Sequence, residues 1–232
     1  MRAIHKSAER GSSNFGWLDS RHTFSFGRYY DPKHLGFRSL RVINDDRVAG
    51  GGGFGAHPHD NMEILSWVVA GAIEHRDSMG TGSTVRPGEL QRMTAGTGIT
   101  HSEFNHSKTD SLRFLQVWIE PEVEGLEPGY EQREFPLDEN RGKLLLVASR
   151  DGRDGSVTVH QDVSVYAGRF SAGDAAALGL DSRRHAWVQV VRGALRVGED
   201  RLEEGDGVAI SGEPSLTLRA ETDAEVLVFD LR

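Results

Sequence analysis

The way its apolar residues are parcelled constrains this chain more than any other feature. No long stretch repeats at the 3.6-residue period of a helix. Short apolar or alternating runs recur instead, between clusters of Gly, Asp and Asn. Such runs lie at 40–43, 64–69, 114–119, 144–147, 157–159, 187–191, 208–210 and 226–229. Turn signals separate them, among them Asn44-Asp45-Asp46, Arg86-Pro87-Gly88, Asp151-Gly152 and Glu204-Gly205-Asp206-Gly207. The 28 glycines, against seven prolines, fit the same picture, because a chain of many short strands needs many tight turns. An all-β sandwich or barrel is expected. Only residues 175–180 read as a turn or two of helix.

Charge and composition narrow the function. The chain has 27 Lys and Arg against 35 Asp and Glu, a net charge of −8. A surface that tracks phosphates is therefore not expected, which argues against direct nucleic-acid binding. Cysteine is absent, which excludes disulfides, thiol catalysis and thiolate metal sites. The opening Met1-Arg2-Ala3-Ile4-His5-Lys6-Ser7 has no apolar signal-peptide core, and no apolar run is long enough for a bilayer. A cytoplasmic protein with no membrane partner is expected.

The stretch 120–142 is polar and holds three of the seven prolines, so it reads as a link between two domains, 1–135 and 136–232. A weak internal repeat flanks it. Trp67-Val68-Val69-Ala70-Gly71-Ala72 resembles Gln189-Val190-Val191-Arg192-Gly193-Ala194. Pro87-Gly88-Glu89 resembles Glu204-Gly205-Asp206, and Lys108-Thr109-Asp110-Ser111 resembles Glu221-Thr222-Asp223-Ala224. The matches come in the same order, which points to two similar β units.

The chemistry concentrates in His57-Pro58-His59 and His101-Ser102-Glu103. Residues i and i+2 of a strand share a face, so each tripeptide presents two donors on one side. Two such strands crossing inside a barrel bring three imidazoles and a carboxylate together. That donor set suits Fe, Mn, Ni, Cu or Zn and poorly suits Ca or Mg. An isolated His-x-His is more often a pair of surface histidines beside a turn; the second pair, in glycine-rich surroundings, favours a metal site. Glu63 reads either as an acceptor for a ligand imidazole or as a solvated strand residue. Phe54, Trp67, Met93, Phe104, Phe114, Gln116 and Trp118 flank the motifs and either line a cavity or fill the core, with Phe54 and Trp67 as candidate ring contacts for a ligand. His5, His22, His34, His75, His106 and His160 carry no spacing signal. Gly50-x-Gly52-xx-Gly55 is followed by His-Pro-His rather than a helix, so it is no dinucleotide site.

Gly51, His57, His59, Glu63 and Gly71, then Gly88, Gly96, Gly98, His101 and Asn105, closely resemble the two cupin motifs. The departures are specific. Seven residues separate Glu63 from Gly71, and Thr94 stands where the second motif has proline. Glu103 sits two residues after His101, the mark of the pirin family. Trp17-Leu18-Asp19-Ser20, His22-Thr23-Phe24-Ser25-Phe26, Glu74-His75-Arg76-Asp77-Ser78 and Pro128-Gly129-Tyr130-Glu131-Gln132 resemble that family too, most closely its short bacterial members with quercetinase activity. The resemblance implies a bicupin, two antiparallel jelly-roll-like β-barrels facing each other, with one metal in the first. It implies His57, His59, His101 and Glu103 as ligands, and Glu103 as a catalytic group that takes the substrate proton. It implies iron, with Zn, Mn, Ni, Cu or Co as other occupants. The implied reaction is dioxygenolytic ring opening of a flavonol such as quercetin. The alternative within the family is a metal-dependent protein-interaction module acting as a transcriptional co-regulator; another cupin enzyme, an isomerase or small-acid decarboxylase, is a third reading. The second unit is expected to lack ligands: aligning Gly193 with Gly71 puts Gly179 and Asp181 at the positions of His57 and His59, and His185, read as a packing or hydrogen-bonding residue, at that of Glu63.

Overall fold

The computed structural model describes residues 1–232. It is built from strands, with two 3-10 turns as its only helical segments. No helix is long and apolar enough to cross a membrane. The chain divides into two compact units, one of Gly11–Glu134 with Val157–Gln161, the other of Met1–Arg10, Phe135–Ser156 and Asp162–Arg232. These are the first and the second barrel.

After β1 (Arg2–His5), the first barrel comprises β2 (Gly11–Asn14), β3 (Leu18–His22), β4 (Leu40–Val48), β5 (Gly53–His59), β6 (Glu63–Ala70), β7 (Ile73–Asp77), β8 (Gly82–Val85), β9 (Glu89–Thr94), β10 (Ile99–Asn105), β11 (Leu112–Ile119) and β12 (Gly129–Glu134). Its strands form a seven-stranded sheet, β12-β9-β6-β11-β4-β3-β2, and a four-stranded sheet, β5-β10-β7-β8. The second barrel takes β13 (Leu145–Ser149), while β14 (Val157–Thr158) belongs to the first. The second barrel continues with β15 (Val163–Phe170), β16 (Ala175–Gly179), β17 (His185–Arg192), β18 (Ala194–Val197), β19 (Asp200–Glu203), β20 (Gly207–Ser211), β21 (Ser215–Ala220) and β22 (Ala224–Leu231). Its sheets run β1-β20-β17-β22-β15-β13 and β16-β21-β18-β19.

The two strand orders superimpose: β9, β6, β11 and β4 correspond to β20, β17, β22 and β15, and β5-β10-β7-β8 to β16-β21-β18-β19. The three sequence repeats fall on equivalent turns, β6–β7 and β17–β18, β8–β9 and β19–β20, β10–β11 and β21–β22. Gly71 and Gly193 hold the same left-handed backbone, with φ of 78° and 75°, where a side chain would be strained. All the pairings are antiparallel, and the inner face of each strand alternates with an outer one.

Three expectations change. Residues 175–180 are not helical: Ala175–Gly179 is an edge strand paired with β21, and Ala176, Leu178 and Leu180 turn to the core with period two. Tertiary burial of alternate residues overrides the helical leaning of three consecutive alanines. The link 120–142 does contain the division between the units, after Glu134, but it also supplies β12, which pairs with β9 from Gly129↔Thr94 to Glu134↔Glu89. The first ten residues, placed by sequence in the first domain, pair through β1 with β20 instead, Arg2↔Ile210 to His5↔Gly207.

Candidate metal centre

The interior of the first barrel is apolar at both ends. One end packs Leu18, Val48, Val68, Ile73, Val85, Leu112 and Phe114; the other packs Ile64, Met93, Ala95 and Ile99. Between them lies a polar layer, and the strand period places it there. On β5, His57 and His59 share the inner face; on β10, His101 and Glu103 do. The register sets His101 against His57 and Ile99 against His59. A bulge on β5 between His57 and Phe54 then shifts the pairing, so that Glu103 stands opposite Phe54. Glycine at position 53 permits the close approach of β5 to β10, since a Cβ there would come within 2.6 Å of the Glu103 carbonyl oxygen.

The three imidazoles converge. Ring centroids are 4.4 Å apart for His57 and His101, 4.9 Å for His57 and His59, and 5.0 Å for His59 and His101. Their ligand nitrogens lie within 4.8 Å of one another. Nδ1 of His57 donates to the Gly55 carbonyl at 2.7 Å, which leaves Nε2 as its lone-pair nitrogen. Nε2 of His59 and both ring nitrogens of His101 are buried without a hydrogen-bond partner. Burial and the neighbouring imidazoles push His59 down to about 4 and His101 down to about 2, so both are neutral at pH 7. Neutral imidazoles with idle, buried nitrogens are the ligand form of histidine, and leaving them unpaired costs free energy that a cation would recover.

Glu103 is 3% exposed and firmly held. Ser66 Oγ donates to Oε1 at 3.2 Å and Gln116 Nε2 donates to Oε2 at 2.7 Å. Trp118 Nε1 donates to Gln116 Oε1 at 3.3 Å, which fixes the orientation of that amide. Burial outweighs both donors and raises the carboxyl to about 7. His75 joins the layer, its ring 5.4 Å from that of His101, and one of its nitrogens lies within 4.8 Å of a ring nitrogen of His101 and a carboxylate oxygen of Glu103. Both of its nitrogens are occupied: Nε2 donates to Asp77 Oδ2 at 3.1 Å, and Nδ1 accepts from Gln91 Nε2 at 3.2 Å.

A cavity of about 270 Å³ adjoins the cluster through Gln116, which donates to Glu103, and Phe54, whose ring lies 6.4 Å from that of His57. Phe15, Leu18, Phe26 and Phe54 form its apolar side; Ser20, His22, Asn44 and Asp46 form its polar side. A larger depression of about 640 Å³ lies over β7 and β8, lined by Glu74, Arg76, Thr84 and other polar residues, and lacks such an apolar wall.

Several sequence readings resolve here. Glu63 is fully buried but alternates with Ser66 onto the opposite face of β6, away from the imidazoles. Its Oε2 accepts from the His160 backbone N–H and lies near His160 Nδ1, both at 3.2 Å, so it is neither a solvated residue nor a partner of the histidine cluster. Trp67 shares that outer face and is no ring contact for the site. Phe104 is 38% exposed, neither core nor cavity. Trp118 packs edge-on against His59 at 5.0 Å. His75 and His22, which carried no spacing signal, both belong to the interior; the family-like segments that contain them were the clue the sequence offered. In the second barrel the positions matching His57 and His59 are Leu178 and Leu180, one residue from Gly179 and Asp181. A one-residue slip in a strand exchanges its faces, so the sequence alignment selected outward residues. His185 does fall at the Glu63 position and lies 2.7 Å from Ser211 Oγ through Nδ1.

Known proteins share this architecture over its whole length. The pirin family model matches residues 4–119, and a model described as the quercetinase C-terminal cupin domain matches 146–231. A quercetin 2,3-dioxygenase of Escherichia coli K12 is 49% identical over 228 residues, covering 98% of this chain and 97% of that protein. The crystal structure of YhhW from E. coli superimposes with a TM-score of 0.96 at 47% identity, covering 100% of this chain and 98% of that one. That of the bacterial pirin YhhW in complex with nickel(II) gives 0.95 at the same identity, covering 100% and 99%. With the histidine and glutamate spacing on β5 and β10 and with these matches, the chain belongs to the pirin family.

Proposed function

We propose that this protein is a metal-dependent dioxygenase that opens the ring of a flavonol such as quercetin, with His57, His59, His101 and Glu103 as metal ligands. The observation that carries the reading is the convergence of buried, unpartnered imidazole nitrogens beside a cavity with one aromatic wall. The similar E. coli protein named quercetin 2,3-dioxygenase supports the substrate, and the nickel(II) complex of YhhW supports a divalent metal. Iron is the expected metal by family resemblance; the nitrogen-rich donor set also accommodates nickel, manganese, copper, cobalt or zinc.

A divalent ion held by His57, His59, His101 and Glu103 would supply Lewis acidity toward a flavonol oxygen. The remaining work falls to the protein. Phe54 and Phe26 on the cavity wall would pack against a planar ring system, and that apolar side excludes water from the contact. Glu103, buried beside the imidazoles, is the carboxylate that takes the substrate hydroxyl proton. Ser66 and Gln116 keep its two oxygens in place as it does so.

The test is elemental analysis of purified protein with quercetin turnover followed by absorbance, in air and under anaerobiosis. One metal per chain and oxygen-dependent loss of the flavonol band are expected. Metal-replete protein that neither binds nor consumes quercetin would overturn the reading and favour a metal-dependent interaction module.

A further inference from the structure

The polar side of the cavity has a feature that the metal chemistry does not use. Asp46 lies on the inner face of β4, opposite Ser20 of β3 and Phe114 of β11. It is 2% exposed and lines the cavity. The Ser20 hydroxyl bonds its carboxyl, while Oδ1 has no hydrogen-bond partner. The neighbouring polar groups satisfy one another. His22 Nδ1 donates to Asn44 Oδ1 at 2.8 Å, and His22 Nε2 accepts from Ser13 Oγ at 2.9 Å. Asp45, next in sequence, points the other way into a bidentate pair with Arg113, at 2.9 Å for each contact. Asp46 has no such bidentate partner: the carboxylates that act on it are Asp45, Glu103 and Asp19, and Arg28 is the cation that lines the same cavity. A buried carboxyl oxygen with an idle lone pair is costly unless something supplies a donor.

The cavity meets the ligand cluster at Phe54 and Gln116, and Asp46 stands elsewhere on its wall. We propose that Asp46 is the specificity-determining residue of this cavity: Oδ1 accepts a hydrogen bond from a hydroxyl that the substrate carries away from its metal-binding edge. This rests on the flavonol reading and deepens it. The site then selects polyhydroxylated aromatic compounds over those whose only oxygens face the metal, because only a ligand with the distal hydroxyl supplies Oδ1 with a donor. The apolar side of the cavity binds both kinds of ring alike, and of the polar lining it is Asp46 that has a buried oxygen without a partner.

The experiment compares metal-loaded wild type with Asp46→Asn. Dissociation constants for quercetin and for 3-hydroxyflavone, which lacks the distal hydroxyls, are measured anaerobically by quenching of tryptophan fluorescence, with metal content and thermal unfolding as controls. Wild type should bind quercetin at least tenfold more tightly than 3-hydroxyflavone, and Asp46→Asn should remove most of that ratio while leaving 3-hydroxyflavone within about twofold. A ratio unchanged in Asp46→Asn, or equal weakening of both ligands, overturns the proposal and leaves the flavonol reading standing. Failure of wild type to bind either ligand overturns both. Should Asp46→Asn not fold, mono-methyl ethers of quercetin decide the matter on wild type. Methylation of one distal hydroxyl should abolish the preference; if no single methyl ether does so, the assignment to Asp46 is wrong.

Discussion

The two barrels share strand order and turns, yet one interior is polar across its middle and the other is apolar throughout. The pairings allow a position-by-position comparison. Ser66, Gln91 and Gln116 of the first barrel, mutually in register across β9, β6 and β11, correspond to Val188, Val208 and Val228. His57, His75, His101 and Glu103 correspond to Leu178, Val197, Leu216 and Leu218, all packed into the second core. The scaffold therefore does not require the polar layer. The second barrel shows what the fold prefers when packing alone decides, and the first shows how much burial of polar groups it tolerates when they hydrogen-bond one another or await a ligand. The apolar clusters at both ends of the first interior offset the cost of that layer.

The comparison can be broken in several ways. The largest effect is expected from His101→Ala, which removes the central imidazole: metal content and quercetin turnover should fall below detection while circular dichroism stays that of the folded protein. Unlike a small zinc module, this core does not depend on the ion. A polar residue transplanted into the second barrel should be costly in another way. Val228→Gln places an amide where Gln116 stands in the first barrel, but with no carboxylate or indole to meet it. We expect a loss of about 4 kcal/mol in urea unfolding, from overpacking plus an unsatisfied amide.

Glu103→Gln sharpens the comparison through pH. The folded carboxyl sits at about 7 against 4.5 unfolded, so the folded state holds a proton between those values that the unfolded chain has lost. That contribution is complete below pH 4.5 and disappears as pH rises to 7. The metal-free Glu103→Gln variant has no carboxyl to titrate and escapes the loss. Its stability advantage over metal-free wild type should therefore grow across pH 4.5 to 7, by about 3 kcal/mol, and then level off. A flat difference would show that the carboxyl is not buried as described. The smallest effect is expected at Glu63. Glu63→Gln should leave metal content unchanged and cost about 1 kcal/mol, since it weakens only the attachment of His160. Loss of metal in this variant, with retention in Glu103→Gln, would reverse the ligand assignment.

The sequence by itself determined the strand count in outline, the doubled unit and the four candidate donors, of which the three histidines converge. Those signals are local: turn residues at fixed offsets, and the i, i+2 rule that puts His57 with His59 and His101 with Glu103 on one face. The same rule, applied from Ser66, places Glu63 and Trp67 on the outer face of β6, but only once pairing with β11 shows which face is inner. Tertiary structure alone decided the rest. It turned the alanine-rich segment 175–179 into an edge strand, drew β1 to the second barrel and moved the second-barrel alignment by one residue. It also brought Gln116 to Glu103 and Gln91 to His75, and left Asp46, on the wall of a cavity, with a buried oxygen that has no partner. These outcomes depend on register and on burial, which are set by contacts between residues far apart in the chain, and no local pattern encodes them.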